Sequence, residues 1–103
     1  MDGGSLVVKD NVQTVWNRKG KIYACEPGKP EKEIGEGRSC TLETIDGKIV
    51  YAWIEKGEVV CLLPQRKKSL GKGQSPIIRA IGKEQVLCIW KNENKIHSAI
   101  LNL

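Results

Sequence analysis

The chain has 103 residues, room for one small domain and too few for two ordinary ones. Seventeen Lys and Arg against twelve Asp and Glu leave a net charge of +5, and 40% hydrophobic with 28% charged residues is a globular composition that excludes a disordered chain. The longest apolar run, Ile49 to Ile54, is far short of the roughly 20 residues a membrane-spanning helix needs. Met1-Asp2-Gly3-Gly4-Ser5 lacks a basic region followed by an apolar stretch, so no signal peptide is expected and the compartment stays open.

In chain order, Ser5 to Val8 is a short strand. A second apolar segment follows from Val12 to Trp16, a turn falls at Gly20, and a third begins at Ile22. Cys40 to Ile45 is β-rich and ends at Asp46-Gly47, a hairpin signal. The next strands are expected over 49–54, 58–63 and about 66–70, after a first at 41–45, with Glu55-Lys56-Gly57 as a turn and Pro64 as a stop. No 3.6-residue period appears, so the chain is all-β.

The segments repeat. Trp16, Trp53 and Trp90 stand 37 residues apart, and Ile22, Val59 and Ile96 keep the same interval. Val12, Ile49 and Val86 do so too, as do Val15, Ala52 and Ile89. Gly20 and Gly57 match Asn94, and Gly and Asn best tolerate positive φ. A second block, Ile34-Gly35-Glu36-Gly37-Arg38-Ser39, matches Leu70-Gly71-Lys72-Gly73-Gln74-Ser75 at an interval of 36.

The central strands, IVYAWI and VLCIW, are apolar on both faces. A sheet with one wet face would alternate, so these strands belong between two other layers. A four-stranded meander repeating every 37 residues and covered on both sides by its neighbours is a β-propeller blade. The expectation is a single domain over 1–103: blade one about 5–34, blade two about 41–70, and blade three about 77–101 without its outer strand. Val8, 37 residues before Ile45, is taken to lie in the innermost strand of blade one.

Propellers close with about four to eight blades, so three form an open fan whose end blades leave apolar faces in water. The expected partner is a second copy: a homodimer of three-blade chains completing a six-bladed ring. The alternative is a piece of a longer parent or a designed scaffold with no ligand.

The pattern I/L-G-x-G-x-S, a strand, a hairpin turn, a V-x-x-W strand and an I-x-x-x-L strand, over about residues 12–101, resembles blades of sialidase-like (BNR-type) six-bladed propellers. The resemblance implies the fold. The Asp-box signature S-x-D-x-G-x-x-W is absent from all three copies, and that family's arginine cluster, tyrosine nucleophile and acidic Asp have no counterpart here, so its activity is not implied. Members are commonly exported.

The connections expected on one rim are Glu36 to Ser39, Lys72 to Ser75, Asn17 to Gly20, Glu55 to Gly57 and Lys91 to Asn94. Loops on a rigid scaffold carry binding chemistry. Candidate ligand-binding residues are Arg38, Gln74, Arg18, Lys19, Glu55, Lys91 and Asn92. Arg38 and Gln74 hold equivalent positions, and a guanidinium there suits a sugar or an anion. The Gly-x-Gly pairs precede strands, not helices, so they serve a tight crossing between blades. The tryptophans, Tyr23 and Tyr51 are expected in the core.

Cys25, Cys40, Cys61 and Cys88 are 15, 21 and 27 residues apart with His97 the only histidine, so buried free thiols are expected and neither a metal nor a cofactor. No nucleophile adjoins a base. The reading is a non-catalytic, self-associating binding module, with carbohydrate a possible ligand. A degenerate sialidase-like glycoside hydrolase using Glu36, Glu55 or Glu93 is one rival. A nucleic-acid binder using Arg66-Lys67-Lys68 is another, disfavoured because a lysine-rich edge also blocks aggregation.

Overall fold

The computed structural model describes residues 6–9, 13–26 and 28–103. Among the described residues eleven strands form three antiparallel sheets, each a meander in sequence order. The first contains β1 (Leu6–Lys9), β2 (Gln13–Arg18), β3 (Lys21–Cys25) and β4 (Lys32–Glu36). The second contains β5 (Arg38–Ile45), β6 (Lys48–Glu55), β7 (Glu58–Leu62) and β8 (Lys67–Lys72). The third has only three strands: β9 (Gln74–Ile81), β10 (Gln85–Asn92) and β11 (Lys95–Asn102).

Turn chemistry sets these boundaries. Arg18 pairs with Lys21, Ile45 with Lys48, Glu55 with Glu58 and Asn92 with Lys95, so four hairpins have two-residue loops. Both loop residues have positive φ in each: Lys19-Gly20, Asp46-Gly47, Lys56-Gly57 and Glu93-Asn94. That backbone matches the right-handed twist of the flanking strands.

The 37-residue interval translates directly into packing. On β6, Ile49, Tyr51 and Trp53 turn toward the first sheet, where Trp53 packs with Val15 and Ile22. Val50, Ala52 and Ile54, on the other face, pack against Ile78, Val86 and Cys88 of the third sheet. Alternation within a strand therefore gives every sheet a face for the preceding repeat and a face for the following one. This accounts for central strands without a polar face.

The connections between sheets are tighter than the sequence suggests. Segments 36–39 and 72–75, expected as loops, are strand except for a single residue each, Gly37 and Gly73. Gly37 N–H donates to Gly20 O at 2.8 Å, and Gly73 N–H to Gly57 O at 3.1 Å, tying each crossing to the hairpin of the sheet it leaves. The next sheet's tryptophan lies on the crossing. A Cβ on Gly35 would sit 2.4 Å from Trp53 Cζ2, and one on Gly37 2.7 Å from Trp53 Cδ1 and 2.1 Å from Ile54 O. A Cβ on Gly73 would sit 2.2 Å from Trp90 Cδ1.

Two expectations need correction. Val8 does not correspond to Ile45. It pairs with Thr14, and the residue paired with Tyr51, 37 positions after Thr14, is Leu42. The true interval there is 34, because the first sheet's inner hairpin carries a different connection from the Asp46-Gly47 turn. Trp16 is not core. It is half-buried and stacks on Tyr23, with ring centroids 6.1 Å apart, while Trp53 is fully buried. No described glycine crossing precedes Trp16.

Gly37→Ala is expected to cost at least about 2 kcal/mol in urea unfolding, since a methyl group meets a carbonyl and an indole at φ +144°. Gly57→Asn, in an open turn with φ +80°, should cost well under about 1 kcal/mol. Equal losses would contradict the packing described.

Candidate functional site

The β2–β3, β6–β7 and β10–β11 hairpins and the two crossings lie at one end of the sheets, as the pairings of Arg38 with Ile54 and of Gln74 with Lys91 require. This rim gathers all seven residues singled out from the sequence. Arg38 opens β5 and Gln74 opens β9, both exposed. They are strand residues at the crossings, not loop residues. Lys19 is in a turn, and Lys91 and Asn92 end β10, Asn92 half-buried.

Two of the seven are engaged within the chain. Arg18 Nη2 donates to Glu31 Oε1 at 2.8 Å, and its guanidinium lies 4.4 Å from the Tyr23 ring centroid. The hydrogen bond to Glu31 holds its pKa above the usual value. Glu55 Oε1 accepts from Lys67 Nζ at 2.8 Å and from Trp53 Nε1 at 3.3 Å. The Lys67 hydrogen bond, more than burial opposes it, pulls the Glu55 carboxyl below its ordinary 4.5. A carboxylate held in this way is a poor proton donor. Its role is to orient the indole that rests on the crossing glycines.

The basic run is also partly committed. Arg66 Nη2 donates to Asn102 O at 2.8 Å, and Lys67 Nζ lies 5.5 Å from the Trp53 ring centroid. His97 stacks on Trp90, with centroids 5.8 Å apart. Among the described residues no group of three or more His, Cys, Asp or Glu could hold a metal ion. No helix there is long and apolar enough to cross a membrane.

All four cysteines are free thiols, three of them buried. Burial pushes Cys40 up to about 11. The neighbouring Cys88 thiol of β10, together with burial, raises the thiol pKa of Cys61 on β7, at the junction of the second and third sheets.

A cleft of about 380 Å³ opens between the outer parts of the first and second sheets, lined by Ala24, Glu26, Lys29, Ile34, Tyr51 and Leu62, among others. Burial raises the Tyr51 hydroxyl pKa, and Glu26 adds to it. The sequence carried no signal for this cleft, because its walls come from two different repeats.

No protein-family model matches the chain, and no curated protein or solved structure shows significant similarity to it.

The Glu55–Lys67 pair should be visible in acid. Because the folded carboxyl is depressed, its stabilisation is complete above 4.5 and disappears as pH falls through the folded value. Melting temperatures of the native protein and Glu55→Gln should differ at neutral pH and converge in acid. A constant gap across that range would remove the pair from the account.

Proposed function

We propose that the three sheets are blades of a β-propeller and that the protein is a self-associating interaction module, two chains closing a ring of six blades. The supporting observation is the third sheet's outer face. Leu87, Ile89, Ile96 and Ile100 stand 37 residues after Val50, Ala52, Val59 and Leu63. Those four are buried against the third sheet, whereas Ile96 and Ile100 are 70% and 59% exposed. The same repeat position is thus core in one sheet and surface in the next.

The opposite end of the fan offers the complementary face. Thr14, Trp16 and Tyr23 hold the places of Tyr51, Trp53 and Val60, the residues with which the second sheet receives the first. Seating the third sheet of one chain on the first sheet of another repeats the face-to-face part of a junction that each chain already makes twice, without the glycine crossing. Such head-to-tail contacts close a ring when the rotation permits and otherwise form filaments. Exposed apolar faces of this kind favour association.

In that ring the rim bearing Arg38, Gln74, Lys19, Lys91 and Asn92 is presented twice, and we assign ligand contact to it. Exposed cationic and amide groups there suit a sugar or an anionic group. The glycosidase and nucleic-acid readings draw less support, because Glu55, Arg66 and Lys67 are already bonded within the chain.

Sedimentation should give twice the 11.4 kDa of one chain, and Ile96→Lys with Ile100→Lys should return it to one. A native protein that stays monomeric at about 100 μM, or a dimer indifferent to the double change, would refute the ring.

A further inference from the structure

The outer strands of the three sheets differ in kind. β4 and β8 are short, with five and six residues, each has a register shift, and both carry lysines. These features blunt a sheet edge against further pairing. β11 has none of them except its end lysine. It runs eight residues in unbroken register with β10, and no described residue pairs with its other side. A long, regular, unpaired edge is a template for another strand.

The two complete sheets show what that strand must be. Lys21 of β3 lies opposite Glu36, Ile22 opposite Gly35, then the register shifts and Tyr23 lies opposite Glu33. In the second sheet Glu58 lies opposite Lys72, Val59 opposite Gly71, the shift falls at the same place, and Val60 lies opposite Ser69. The residue passed over by the shift is aliphatic in both, Ile34 or Leu70, and it packs into the adjacent core. Charge inverts between the two sheets. Lys21 Nζ lies 3.7 Å from Glu33 Oε1, and Glu58 accepts from Ser69 Oγ at 2.6 Å.

Two intervals of 37 on, β11 places Lys95 and Ile96 where β3 has Lys21 and Ile22. The third sheet is therefore of the first kind. We propose that the free edge of β11 accepts, from a partner protein, an extended antiparallel strand of the order acid–aliphatic–Gly–acid. Gly sits opposite Ile96, and the final acid sits opposite Lys95. Backbone hydrogen bonds would supply affinity and the acids would set register. This edge is distinct from the sheet face invoked above, so the two proposals stand or fall separately.

Two labelled synthetic peptides test it by fluorescence anisotropy: Glu-Lys-Glu-Ile-Gly-Glu-Gly, the sequence of residues 31–37, and Lys-Lys-Ser-Leu-Gly-Lys-Gly, that of 67–73. The acidic peptide should bind the intact protein roughly three- to tenfold more tightly, the scale of cross-strand charge pairs. Lys95→Glu, an exposed change, should reverse the preference. N-methylation of alternate amides in the acidic peptide should abolish binding in only one of the two alternating sets. The proposal is overturned if neither peptide binds up to about 1 mM, or if Lys95→Glu leaves the preference unmoved. It is also overturned if peptide dissociates the dimer, since the edge then belongs to a second copy. Mass measured in the same samples separates the proposals: a monomer that binds peptide sinks the ring and keeps the edge, and a dimer that ignores peptide does the reverse.

Discussion

The structure depends on an indole lying on a strand that has no side chains where the indole passes. A Cβ built on Gly35, in β4, and one built on Gly37, at the crossing, would both meet the Trp53 indole. Gly35 and Gly37 leave a trough there, and Trp53 of the following sheet fills it. The contact joins two repeats at the only residue of chain between them. It fixes the distance between sheets more tightly than aliphatic packing alone, since backbone and a rigid ring have no rotamers with which to adjust. Glu55 and Lys67 then hold the indole in place from its nitrogen and from one of its faces.

Once that junction is fixed, strand alternation makes the sheets polar in the sense of an array: every sheet has one face for the repeat before it and one for the repeat after it. The end sheets inherit those faces without the neighbours. Ile96 is exposed for the same reason that Val59 is buried. Trp16, lacking a described glycine trough, stacks on Tyr23 beside the Arg18 guanidinium, so the half-buried aromatic surface at this end is organised though no other described sheet covers it.

Much of this was legible because the repeat is written in residues that have few substitutes. Tryptophan, crossing glycines and Gly or Asn in two-residue turns each have a narrow structural use, and their shared interval exposed the sheets, the hairpins and the rim. Two things were not legible. A fixed interval of 37 concealed the offset of β1. At 34, the sequence Gly3-Gly4-Ser5 aligns with Gly37-Arg38-Ser39; it lies outside the described residues. Internal bonding of rim residues was also hidden. Nothing in the spacing of Arg18 and Glu31, or of Glu55 and Lys67, announces a pair, because each pair is brought together only once the strands between its members have folded into a sheet.

The alternation of charge at the outer strands bears on how a repetitive chain avoids pairing with itself wrongly. Three sheets built on one pattern invite β4 to lie against β7, or β8 against β3. Lys21 faces Glu36, and Glu58 faces Lys72, so either exchange would set like charges opposite each other. Each exposed pair contributes little to stability. Its consequence is discrimination, since repulsion in the wrong pairing counts as much as attraction in the right one. Lys95 holds the Lys21 position in the third sheet, on an edge that no described residue pairs. A lysine chosen only for solubility would have no reason to match Lys21 in position, beside an isoleucine matching Ile22, on the one outer strand in unbroken register.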